Sequence, residues 1–141
     1  MSCFVLCSIA AGCGAQKSFD VSVKNQTTQP VTLWLTKDGP PAENGWLSPE
    51  QLAKIPQDSK PKYDLAIVPP GKTGYTGKLS GEFPEGTRAV LRVYPGALEL
   101  FHIAEAIKSG GVKHVDATLK PGGNKLAVVE RDGQIAVEPA R

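Results

Sequence analysis

Apolar side chains recur at every second position along much of this chain, the spacing of strands with one buried face. Phe19, Val21 and Val23 alternate with Asp20, Ser22 and Lys24, and Val31, Leu33 and Leu35 share one face of the next run. Between them the polar stretch Asn25 to Pro30 predicts a turn, and hence a hairpin of these two strands. The alternation then stops at Asp38-Gly39-Pro40-Pro41. Ser48-Pro49-Glu50-Gln51 has the order of a helix start, with Ser as cap, Pro at the first helical position and Gln where a capping box needs it. Pro56 ends that helix by about Lys54.

Strands are predicted again over Tyr63 to Val68, Gly74 to Leu79 and Arg88 to Tyr94, broken by Pro69-Pro70-Gly71 and Pro84-Glu85-Gly86. Leu98 to Lys108 has helical composition, a stripe of Leu98, Phe101, Ala104 and Ile107, and Gly110-Gly111 behind it, so a helix is expected there. Val112 to Leu119 and Lys125 to Glu130 follow as strands. Asp132-Gly133, set between alternating residues, predicts a type I′ turn that places Val128 opposite Val137. About eight strands with one or two short helices and no strand–helix–strand rhythm predict an all-β antiparallel sandwich of immunoglobulin-like type. Asn25-x-Thr27, Trp34-Leu35-x-x-Asp38-Gly39-x-Pro41 and Pro69-Pro70-Gly71 resemble the opening strands of the von Hippel-Lindau β-domain, a peptide-binding sandwich. The likeness covers under half of the chain and includes no counterpart of that family's ligand pocket. It implies architecture and no binding residue.

Composition narrows this picture. The 141 residues suit one domain, and Gly 15 with Pro 12 fits short strands joined by turns. The net charge of +2 is scattered, with the densest basic spot, Lys60-Pro61-Lys62, flanked by Asp58 and Asp64. A nucleic-acid binder calls for a basic stripe with interleaved aromatics, which is absent here.

All three cysteines, Cys3, Cys7 and Cys13, fall in the first thirteen residues, so the domain has no disulfide framework. Residues 2–12 carry no charge. The leader would extend only roughly 18 Å as a helix, short of the ~30 Å needed to span a bilayer. It has the make-up of a signal segment ending in small residues. Ala10-Ala11-Gly12-Cys13 resembles the lipobox of bacterial lipoproteins, in which the cysteine takes a diacylglycerol and becomes the new N-terminus. Ala10 stands where that family prefers Leu, and no basic residue precedes the apolar run, which suggests a true start upstream of Met1. A plain secretory signal or a buried N-terminal strand is the other reading. The expected layout is a leader at 1–12, a tether at 13–18 and one sandwich over 19–139.

Tests for catalytic motifs find little. Gly71-Lys72-Thr73 lacks the Gly at position 66 that a phosphate-binding loop needs, and Gly77-Lys78-Leu79-Ser80-Gly81 misses the nucleophile-elbow spacing by one residue. His102 and His114, with Glu105 or Asp116 nearby, are the only candidate bases or metal ligands. Asn25-Gln26-Thr27 fits a glycosylation sequon but is expected to be a turn. Among the aromatics, Trp34 lies on the face opposite Leu33 and Leu35, as a core plug or an exposed ring. Trp46, before the helix cap, either staples the helix or stacks on a sugar or partner.

The resulting expectation is a non-enzymatic, extracytoplasmic interaction or structural module of a bacterial envelope, held at the membrane through a lipid on Cys13 or else secreted or periplasmic. Its partner would be an envelope protein or glycan, with no cofactor, metal or nucleic acid. The alternative is a carbohydrate-binding module using Trp46, Trp34 or Tyr75. A third option is a small metal-dependent or hydrolytic enzyme built on His102 and His114.

Overall fold

Two four-stranded sheets face each other across an apolar core. A computed structural model describes residues 16–56, 58 and 60–141; the leader and Cys13 lie outside them. The strands are β1 (Gln16–Asn25), β2 (Val31–Asp38), β3 (Leu65–Val68), β4 (Thr73–Glu82), β5 (Arg88–Pro95), β6 (Val115–Thr118), β7 (Gly122–Arg131) and β8 (Gln134–Pro139). The helices are α1 (Pro49–Leu52) and α2 (Leu100–Lys108). The first sheet has the order β4-β1-β7-β8 and the second β3-β2-β5-β6. The all-β sandwich expected from the alternation is the fold found. One pairing departs from antiparallel, because β1 and β7 run parallel, with Val21 beside Asn124 and Val23 beside Leu126.

Alternation does what it predicts. Phe19, Val21 and Val23 of the first sheet meet Val31, Leu33, Leu35, Leu91 and Val93 of the second. β1 starts three residues before the alternation does, since Gln16, Lys17 and Ser18 pair with Glu82, Gly81 and Ser80. The last hairpin is as predicted: Asp132 and Gly133 both have positive φ, 54° and 76°, and Val128 pairs with Val137.

The expected hairpin of β1 and β2 is not formed, since the two strands belong to different sheets. Asn25 is the reason. Its buried side-chain amide donates to the carbonyls of Gln29 (2.8 Å) and Val68 (2.9 Å). Its Oδ1 accepts from the Thr27 backbone N–H (3.0 Å) and hydroxyl (2.7 Å). The Asn25 backbone also pairs with Gly71 and Lys72. Two of the four connections between the sheets, 25–30 and 69–72, are therefore fastened by one residue. The sequon is a turn, with its amide nitrogen fully buried.

The long connection after β2 is pinned by Lys37, whose side chain is only 3% exposed. Its ammonium donates to Glu43 Oε2 (2.5 Å) and to the Glu82 carbonyl (2.7 Å), and lies 4.7 Å from the centre of the Phe83 ring. A buried ammonium is tolerable only with such partners. The predicted capping box then starts α1, with Ser48 and Gln51 bonded reciprocally.

A second, smaller core lies on the outer face of the second sheet. Trp34 and Tyr94 point there, and Ile103 of α2 packs on them together with Leu98, Leu100 and Ile107. The buried stripe of α2 thus runs through Leu100, Ile103 and Ile107. Phe101, placed on that stripe by the sequence reading, is 69% exposed. Among the described residues no helix is long and apolar enough to cross a membrane.

Candidate functional site

The two tryptophans singled out as binding residues are both buried. Trp34 is 0% exposed, stacks on Tyr63 at 5.2 Å between centroids, and donates its indole N–H to the Leu47 carbonyl (2.9 Å). Trp46 is 1% exposed and packs edge-on against Phe19 and Phe83 in the main core. Its indole N–H donates to the Ser80 carbonyl at 2.9 Å. Neither ring has a free face or a free donor, so neither can stack on a ligand. Trp46 also does not staple α1, because its ring belongs to the core between the sheets.

Tyr75 is different. It stands on the outer face of the first sheet and is 71% exposed. Cross-strand register sets it beside Ser22 of β1, which in turn lies beside Lys125 of β7. These residues border an open trough of about 680 Å³ whose lining includes Asp20, Lys78 and Gly123. Its shape has a local cause. The β1–β4 register slips between Phe19 and Val21, so that Gly77 and Lys78 together stand opposite Asp20. Such a bulge bends and twists the strand. Gly123 keeps the floor low, since a Cβ there would come within 3.1 Å of Asp20 Oδ1. A second depression, of about 470 Å³, adjoins at Asp20 and Lys78 and continues past Lys17 and Ser18 to Gln16.

The electrostatics of this face are lopsided. Three lysines, Lys17, Lys78 and Lys125, line the joined depressions with a single carboxylate, Asp20. Ion pairs among the described residues engage Lys37, Arg88, Arg92, Lys108 and Arg131, and none involves those three lysines. Asn124 also lines the trough, but its amide is committed to the carbonyls of Lys120 and Gly122. Thr76 is buried in the same wall, and its Oγ1 has no hydrogen-bond partner among the described residues. The arrangement has a flat exposed ring, two kinds of polar side chain and excess positive charge, which is equipment for binding.

The histidines do not form a centre of the kind their number suggested. His102 is exposed on α2 beside Phe101. His114 bonds through Nδ1 to Asp116 (2.7 Å) and lies edge-on to Tyr94. Among the described residues no three His, Cys, Asp or Glu side chains are grouped to hold a metal.

A polar clamp on the helical face joins residues too far apart in the chain for any sequence motif to mark it. Arg92 Nη1 donates to both Glu50 carboxylate oxygens (2.9 and 2.7 Å) and to the Tyr94 hydroxyl (3.3 Å). Burial pushes the Glu50 carboxyl up, but hydrogen bonds from its own backbone N–H and from Arg92 outweigh it and hold the group below its ordinary value. Burial raises the Tyr94 phenol against the opposing pull of Arg92. Every member is occupied by another, so the clamp fastens α1 to β5. At the β4 edge, burial pushes the Asp64 carboxyl up, partly offset by the Gly77 amide. No match was found in comparisons with protein-family models, with curated proteins and with solved structures.

Proposed function

We propose that this chain is a non-enzymatic binding module of a bacterial envelope, exported and held at the membrane by a lipid on Cys13, with the open face of the first sheet as its recognition surface. The observation that carries the reading is the contrast between the faces. Helices and an apolar layer cover one sheet, while the other presents, around a trough, Tyr75 and three lysines that form no ion pair among the described residues. Exposed aromatic rings with polar side chains around them mark binding surfaces more often than folding cores.

The anchor rests on Ala10-Ala11-Gly12-Cys13 and on the short separation of Cys13 from the start of β1 at Gln16. A module tethered there would keep its partners near the membrane, where an envelope protein or glycan is the available class. Intact-mass measurement of protein from the membrane fraction tests the anchor. The expected result is a diacylglyceryl adduct on Cys13 that Cys13→Ser abolishes, with release of the protein into the soluble fraction. An unmodified Cys13 thiol in membrane-extracted protein contradicts it.

A further inference from the structure

We infer that the open trough binds a linear acidic polysaccharide of the uronic-acid type, an inference that rests on reading this face as the recognition surface. The shape of the trough fits a chain molecule. The two depressions join at Asp20 and Lys78 and follow β1 from Gln16 to Ser22. Six residue steps of strand make the path roughly 20 Å long, which suits a chain molecule laid along it.

The chemistry of the lining fits a charged sugar. A pyranose offers an apolar C–H face and a rim of hydroxyls, and Tyr75 offers an exposed flat ring at the upper end of the path. Asp20 can accept from sugar hydroxyls, and Ser22 can both donate and accept. Carboxylates spaced along the polymer would meet Lys78, Lys125 and Lys17, which outnumber the one carboxylate of the lining, Asp20, and form no ion pair among the described residues. Charge-assisted bonds of this kind are the stronger ones.

The position of the trough in the sheet disfavours a peptide. Peptides that add to sheets bind at an edge through free main-chain groups. The trough instead lies over β1, whose main chain pairs with β4 on one side and β7 on the other. A ligand here is held by side chains alone. A nucleic acid is disfavoured by the single ring and the absence of arginine from the lining.

The experiment is calorimetric titration of the full chain with oligogalacturonate, neutral cello-oligosaccharide, poly-glutamate and a single-stranded oligonucleotide. Oligogalacturonate should bind best, with affinity falling as salt rises. Tyr75→Ala should weaken it at least about tenfold, equivalent to about 1.4 kcal/mol, and Tyr75→Phe should keep it within about twofold. Lys78→Gln with Lys125→Gln should flatten the salt dependence. All three positions are on the surface, so circular dichroism should show each variant folded. Equal binding of the neutral sugar, or an oligogalacturonate affinity indifferent to Tyr75→Ala, overturns the inference. Tighter binding of poly-glutamate or oligonucleotide that Tyr75→Ala abolishes overturns the ligand class but leaves the recognition face standing. Binding of none of the four, or binding that no trough variant alters, removes both.

Discussion

Both sheets carry aromatic side chains on the face turned away from the shared core, Trp34 and Tyr94 on the second and Tyr75 on the first, and Trp34 and Tyr75 have opposite fates. Trp34 of β2 is fully buried, under Tyr63 and the side chains of α2, whereas Tyr75 of β4 is largely exposed. Nothing in the local alternation distinguishes them. The difference is made by residues 98–112, which return to pack Leu98, Leu100, Ile103, Ile107 and Val112 over the second sheet and leave the first sheet bare. A large apolar ring facing outward from a strand therefore becomes core or contact surface according to what packs on it later. Here the covered ring has its indole N–H satisfied by the protein, and the bare one is surrounded by polar groups without charged partners.

The contrast can be broken most forcefully at its buried member. Trp34→Ala empties the second core and should cost about 3–5 kcal/mol, whereas Tyr75→Ala should change stability by less than about 0.5 kcal/mol. Urea unfolding of both variants measures this, and equal losses would mean that the two faces are alike. Next in size, Asn25→Ala removes the side chain that fastens two of the four inter-sheet connections. It leaves buried backbone groups unpaired and should cost about 2–3 kcal/mol, read from the same curves.

Thr76→Val, beneath the open face, should have the opposite sign. It replaces a buried hydroxyl that has no partner among the described residues with a methyl, so the stability should rise by up to about 1 kcal/mol.

The smallest expected effect is a pH slope. Glu50, lowered in the folded state, contributes stability that is complete above its ordinary value of 4.5 and is lost as the pH falls through the lower folded value. Glu50→Gln should therefore flatten the acid limb of stability by about 0.5 kcal/mol, given the exposure of the pair. Asp64, raised above 3.8, contributes in the other direction, with stability present below 3.8 and lost as the pH rises through the folded value. Asp64→Asn should remove that opposing slope. Stability curves from pH 3 to pH 7 separate the two.

How much of this was legible in the sequence depended on distance along the chain. The β7–β8 register was readable because Asp132-Gly133 encodes its own turn geometry, and the α1 start because Ser48, Pro49 and Gln51 lie within four residues. The crossover after β1 was misread as a hairpin. A six-residue polar connection fits both, and the choice rests on Asn25 reaching Val68, 43 residues away. The helix at 100–108 was anticipated but its buried side was not, since both stripes are apolar and only the position of Trp34 and Tyr94 selects Ile103 over Phe101. Tyr75 could be singled out as an aromatic, but not with its neighbours. Ser22 and Lys125 join it only through the antiparallel β1–β4 and parallel β1–β7 pairings, which bring together residues far apart in the chain.

The most direct test of the division into a covered structural face and an open binding face is an amide chemical-shift map of the full chain titrated with oligogalacturonate. The account predicts that the largest shifts fall on Ser22, Tyr75, Gly123 and Lys125, with α1 and α2 unmoved. Shifts centred instead on Phe101 and His102 of α2, or none on the first sheet at saturating ligand, would contradict it.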